Sequence, residues 1–188
     1  MTAVASAQNR ISEQKYLDGE KLSNIRHEYV DGYVYAMAGT SKRHNVIAGN
    51  LFAALRAMSR GSTCTAYQSD IKVRAMNDKS YFYPDVVVGC EEDDADDYYL
   101  EKPCLIVEVL SDSTEKRDRR EKLLAYMKIT SLQAYIMVAQ DKPEVELYYR
   151  EESGDWWLQV FENPEDEIML PCVDQMVTVA EIYEDVFS

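Results

Sequence analysis

Apolar and polar positions follow two rhythms along this chain, one of three to four residues and one of two. From Ser41 to about Met58, Val46, Ile47, Leu51, Ala54, Leu55 and Met58 recur at helical spacing, which predicts an amphipathic helix with His44 near its start. Two short alternating runs flank Asp31-Gly32 between Arg26 and Met37 and predict an N-terminal hairpin, because that dipeptide accepts the positive φ of a tight turn. Strands are expected at about 64–74, 81–88 and 104–110, the last two too continuously apolar to leave one face in water and therefore mid-sheet. Ser12 can cap a short helix over Glu13–Leu17. Ser111, Asp112, Ser113 and Thr114 offer caps for a helix reaching about Lys128, with Leu123, Leu124 and Met127 as its buried stripe. Ala134–Val138 reads as another buried strand, which completes a strand-helix-strand unit with parallel strands. Strands at about 144–150 and 156–161 close the sheet, and Val179–Phe187 reads as a terminal helix. The pattern predicts an α/β (mixed α+β) domain over 11–188, a central mixed sheet flanked by helices, behind a flexible tail at 1–10.

Composition changes that picture little. The 188 residues are 46% apolar and 29% charged, which is ordinary for a globular protein able to bury a core. No run approaches the roughly 18 apolar residues a membrane span needs, and the first ten residues lack the apolar centre of a signal peptide, so a cytoplasmic address is expected. Cys64, Cys90, Cys104 and Cys172 show no CxxC spacing and His27 and His44 are the only histidines, which argues against a structural zinc site; reduced, half-buried thiols are expected. The formal net charge of −14 disfavours broad attraction to nucleic acid, but it is unevenly spread. Residues 91–97 hold six acids in seven positions, whereas 116–122 carry five bases against two acids; taken singly, each run reads as a solvated face.

Candidate chemistry centres on two acids. Glu108 lies inside the apolar run Leu105-Ile106-Val107-Glu108-Val109-Leu110, where an ionised carboxylate would cost several kcal/mol without a polar or cationic partner. Asp85, in Tyr83-Pro84-Asp85-Val86, stands at the mouth of a second apolar strand, and a divalent metal shared by the two would compensate Glu108. The competing readings are an Asp85 that only starts a strand, and a Glu108 that is neutral or paired with a base such as Arg74. No G-x-S-x-G elbow, glycine-rich phosphate loop or zinc-hydrolase histidine spacing is present.

Taken in order, Glu28-Tyr29-Val30-Asp31-Gly32, His44, Tyr83-Pro84-Asp85-Val86, Val107-Glu108-Val109-Leu110-Ser111-Asp112-Ser113-Thr114, Asp118-x-x-x-Lys122-x-x-x-Tyr126 and Ala134-Tyr135-Ile136 resemble a large bacterial family described as "putative restriction endonucleases". That family belongs to the PD-(D/E)XK nuclease superfamily, and the resemblance spans roughly residues 12–185. It implies a restriction-endonuclease-like fold, a metal-binding sheet edge and hydrolysis of DNA phosphodiesters. On this reading Asp85 and Glu108 are ligands of Mg2+ or Mn2+, and Glu28 is an accessory acid. Where the superfamily motif expects lysine, two residues after Glu108, this chain has Leu110. Lys122 then becomes the substitute charge stabiliser, against the alternative of a surface lysine paired with Asp118. Glu28 could instead be a cross-strand partner, Asp70 a further ligand or a solvent-facing acid, and His44 a phosphate or water contact or a satisfied side chain. Nucleases of this fold commonly act as two-fold dimers, so a homodimer is expected. The rival is a catalytically inactive binding or regulatory protein whose acids form a structural network.

Overall fold

The computed structural model describes residues 10–75, 80–91, 94, 96–111 and 115–187; the expected tail therefore lies almost wholly outside the described residues. After helix α1 (Glu13–Leu22), capped by Ser12, the chain forms the expected hairpin, β1 (His27–Val30) and β2 (Tyr33–Ala36). Asp31 and Gly32 at its turn have φ of 44° and 92°, the left-handed pair a two-residue hairpin requires. Helix α2 (Lys42–Met58) starts at Ser41, whose hydroxyl accepts from the His44 backbone N–H.

The expected strands at 64–74 and 81–88 each divide in two. β3 (Thr65–Gln68) pairs with β6 (Val86–Gly89), while β4 (Lys72–Ala75) pairs with β5 (Ser80–Phe82), so one antiparallel ribbon passes from one sheet into another. Ser69, at φ 60°, and the segment Tyr83–Asp85 form the bend, tied together by Ser69 N–H donating to the Asp85 carbonyl at 3.1 Å. Asp85 thus occupies a hinge between sheets.

With β7 (Tyr99–Leu100), the first sheet has the order β2-β1-β5-β4-β7. The larger sheet continues through β8 (Pro103–Leu110), β9 (Ala134–Ala139), β10 (Val145–Arg150) and β11 (Trp156–Phe161), in the order β11-β10-β9-β8-β6-β3. β8 and β9 are parallel and β6 and β8 antiparallel, with every residue of β8 and β9 buried, as their unbroken apolar runs demand. A further hairpin, β12 (Glu167–Leu170) and β13 (Gln175–Thr178), precedes a single helical turn, α5 (Val179–Ile182), much shorter than the expected terminal helix.

Alternation divides the large sheet into two faces. Val86, Val88, Leu105, Val107, Val109, Ile136 and Val138 pack under Ile47, Leu51 and Leu55 of α2. Val87, Ile106, Leu110, Tyr135 and Met137 pack against Phe82, Ala125, Tyr126 and Ile129. The second cover is a helical segment made of α3 (Glu115–Arg117), a π-helical turn (Asp118–Lys122) and α4 (Leu123–Tyr126). Of its expected caps, Asp112, Ser113 and Thr114 lie outside the described residues, and the Ser111 carbonyl accepts from the Glu115 N–H at 2.9 Å. The expected stripe of Leu123, Leu124 and Met127 is overturned, since Leu124 is 62% exposed and the inward side carries Asp118, Lys122, Ala125 and Tyr126. A π turn takes in an extra residue, and at 3.6 residues per turn that rotates the remainder of the helix by about 100°.

The cysteines also depart from expectation. Cys64 is bonded to Cys90 and Cys104 to Cys172. The β3–β6 register, with Thr65 opposite Gly89, makes Cys64 and Cys90 cross-strand neighbours, a proximity that their separation in sequence conceals. Among the described residues no helix is long and apolar enough to cross a membrane.

Candidate functional site

The sheet register brings the two key acids together. β6 and β8 pair with Val86 opposite Val107, so one residue further Asp85 lies across from Glu108. The Val109 N–H donates to Asp85 Oδ2 at 2.7 Å, and His44 Nε2 lies 2.8 Å from Asp85 Oδ1. Both Asp85 oxygens are therefore held, one by the neighbouring strand and one by the first turn of α2. The other ring nitrogen of His44, Nδ1, is buried with no hydrogen-bond partner.

Lys122 is not a surface lysine. It is 4% exposed, and its Nζ lies 2.9 Å from Glu108 Oε1, 3.0 Å from Glu28 Oε1 and 3.1 Å from Asp118 Oδ1. The Glu108 contact is a hydrogen bond, and the Tyr126 hydroxyl donates to the same oxygen at 3.2 Å. Glu28 Oε1 and Asp118 Oδ1 are buried acceptors with no hydrogen-bond donor, holding only the ion-pair contact with Lys122. The expected pairing of Lys122 with Asp118 is present, but buried and shared with two further carboxylates. Asp118 and Lys122, four residues apart at the two ends of the π turn, share its inward side.

Burial works against the charges of Glu108 and Lys122. It drives the Glu108 carboxyl well above the ordinary carboxylate range, with the Lys122 charge as the opposing influence. Burial also disfavours the Lys122 ammonium, yet Glu108, Glu28 and Asp118 more than offset it and hold the amine well above its usual range.

Glu28 comes from β1 of the first sheet, and its second oxygen pairs with Arg117 Nη1 at 2.6 Å. Arg117 also lies over the Tyr35 ring, 4.4 Å from its centroid, and pairs with Glu121 at 2.8 Å. Arg117 is the site residue that sequence reasoning missed, since it was absorbed into a charge run read as a solvated face, whereas Asp118 was read only as a surface partner of Lys122. The signal available was the i, i+4 spacing of Asp118 and Lys122.

Asp70 is not brought into the cluster. It sits on the exposed side of the bend, 3.0 Å from Arg26. Arg74, the base considered for Glu108, instead pairs with Glu13 and Glu101 at 2.9 and 2.6 Å. Leu110, in place of the motif lysine, is buried in the second core.

The chain bends two sheets around a shared ribbon and gathers acids where a buried strand meets the hinge. Its backbone matches the crystal structure of a "putative nuclease belonging to DUF820" from Anabaena variabilis with a TM-score of 0.74, covering 92% of this chain and 97% of that one at 16% identity. The profile of the Uma2 family, described as "Putative restriction endonuclease", matches residues 14–180, and the chain belongs to that family. Two relatives from Synechocystis sp., the uncharacterized proteins slr1290 and sll1609, are 35% and 31% identical over 175 and 151 residues. These alignments cover 93% and 79% of this chain, and 92% and 85% of the relatives.

Proposed function

We propose that the chain is a metal-dependent endonuclease acting on DNA phosphodiesters, with Asp85 and Glu108 as ligands for Mg2+ or Mn2+. The observation that carries this reading is the gathering of Glu108, Glu28 and Asp118 around one ammonium, with Asp85 across the strand register from Glu108 and with Glu28 Oε1 and Asp118 Oδ1 left as buried acceptors without donors. Counted formally, the three carboxylates that face Lys122 and Arg117 leave an excess of one negative charge, and Asp85, across the register from Glu108, adds a second, which a dication would cancel. The donors are all hard oxygens, which suits magnesium. Among the described residues no three His, Cys, Asp or Glu side chains form a finished metal cage. Magnesium commonly takes one or two carboxylates and completes its shell with water and substrate phosphate, so the donor set fits.

When bound, such an ion would polarise a phosphoryl oxygen and acidify a coordinated water. The protein's own part is positioning. Val109 and His44 fix the Asp85 carboxylate, and Tyr126 helps orient Glu108. Lys122 supplies the positive charge that stabilises the anionic transition state, in the role the motif lysine would have played at Leu110. Glu28, steered by Arg117, acts as an accessory acid. A homodimer with one site per DNA strand fits the two-fold symmetry of a duplex.

One observation favours the rival, an inactive nuclease fold. The ammonium has three donor protons and three carboxylates already surround it, so nothing is left over for a phosphate unless a contact is exchanged. Calorimetric titration with Mn2+ separates the two readings. Saturable binding that is lost in a folded Asp85→Ala variant supports the enzyme, and binding unchanged by that substitution rejects it.

A further inference from the structure

β11 is the outer strand of the six-stranded sheet, and it pairs with β10 through all six of its residues without a register shift. No strand among the described residues lies on its other side, so it offers a regular row of backbone donors and acceptors. Trp157, Leu158, Gln159 and Val160 are consecutively exposed, with Trp157 at 54% and Leu158 and Val160 both at 49%. Alternation places Trp157, opposite Tyr149, on one face of the sheet, and Leu158 and Val160, opposite Tyr148 and Glu146, on the other. Proteins usually guard such an edge with lysine, proline or a bulge. The sequence Trp-Trp-Leu-Gln-Val-Phe has none of these.

The edge is framed by acids. Glu151, Glu152 and Asp155 precede the strand and Glu162 and Glu165 come after it, all exposed. The neighbouring bases are already engaged: Arg150 donates to the carbonyls of Met127, Ile129 and Thr130 and stacks over Trp156, and Lys142 pairs with Glu144 at 2.6 Å. An apolar strand between two acidic ends selects a complementary occupant. We propose that β11 is a docking strand for an extended segment of another polypeptide, apolar at alternate positions and carrying lysine or arginine at both ends, which joins the sheet as a seventh strand. A second copy fits less well, because two-fold antiparallel pairing of β11 with itself sets the Asp155 end of one copy against the Glu162 end of the other. The proposal is independent of the acid cluster and of any catalytic role.

The chain contains two tryptophans and both lie in this strand, so intrinsic fluorescence reads the edge directly. The probe is a short peptide of alternating valine and threonine flanked by lysine pairs, titrated into the full chain, with a glutamate-flanked version as control. The expected result is a saturable blue shift with the lysine-flanked peptide, weakened by added salt, and binding of the glutamate-flanked peptide weaker by about tenfold or more. Leu158→Lys and, separately, Val160→Lys should abolish the shift while circular dichroism stays unchanged. No saturable shift, equal response to the two peptides, or binding that survives in both variants would overturn the proposal. So would light scattering that finds a dimer dissolved by Leu158→Lys, which would identify a second copy as the occupant.

Discussion

Lys122, on the helical segment that covers the large sheet, reaches 3.0 Å from Glu28 on the other sheet. One ammonium thus links three pieces of the fold, since Glu108 in the central strand and Asp118 in the π turn share it. Acids in such a setting repel one another and lose hydration, so the lysine is the condition under which this arrangement persists without an ion. On the proposed reading, a dication at Asp85 and Glu108 would compete with Lys122 for Glu108.

Replacing Lys122 with methionine keeps the side-chain length and removes the charge. Breaking a buried pair in this way costs about 3–5 kcal/mol, so Lys122→Met should be markedly less stable in urea. Saturating Mg2+ should restore part of the loss, raising the variant's stability more than the wild type's, while DNA cleavage falls to background. Equal stabilisation of both proteins by Mg2+ would contradict the competition.

His44 contacts Asp85 but none of the other clustered acids, and the partner of a ligand commonly controls its geometry. His44→Phe fills similar space and removes the contact, leaving Val109 N–H as the remaining hold on Asp85. Mn2+ affinity should weaken by about tenfold or more, with the thermal transition little changed. Unaltered affinity in calorimetry would reduce His44 to a packing residue.

The central strands and the register position of Asp85 across from Glu108 were legible because a buried strand admits few sequences and a carboxylate within one is conspicuous. Glu28, His44 and Lys122 came from the family pattern rather than from periodicity, and the structure sets Lys122 against Glu28 and His44 against Asp85. The bend at Ser69–Asp70 was hidden, since polar residues there continue the alternation of a single long strand. The inward face of 115–126 was misread because a π turn has no compositional mark and shifts the phase of everything after it. Arg117 and the burial of Asp118 were lost for a related reason: charge normally signals solvent, and only tertiary partners reveal the exception. The β12–β13 hairpin was missed as well.

Lys72 provides a pH test away from the acid cluster. Burial lowers its pKa, and its ammonium lies 5.4 Å from the centroid of the Tyr83 ring and 6.0 Å from that of Tyr98. Between the lowered folded value and the ordinary unfolded one, the unfolded chain binds more protons, so this residue's contribution to stability rises with pH through that window. Lys72→Met should therefore stabilise the protein at pH 7, and its advantage over wild type should shrink as pH climbs toward the ordinary lysine range. A wild-type and variant difference that is flat from pH 7 to that range would show that Lys72 is not desolvated.

The disulfides close loops of very different length, with 26 residues separating Cys64 from Cys90 and 68 separating Cys104 from Cys172. The entropy removed from the unfolded chain grows with the logarithm of loop length, giving roughly 3.5 kcal/mol for the first bridge and roughly 4 kcal/mol for the second as upper estimates. Cys104 and Cys172 join the central strand β8 to the turn of the β12–β13 hairpin, so that bridge also holds the hairpin against the first core. Mutating both of its cysteines to alanine should lower the urea midpoint more than the same change at Cys64 and Cys90. Denatured but unreduced wild-type protein should show no free thiol toward an aromatic disulfide reagent. Four free thiols, with stability unchanged by reductant, would restore the reduced cysteines expected from spacing and compartment, whereas persistent bridges point to an oxidising environment.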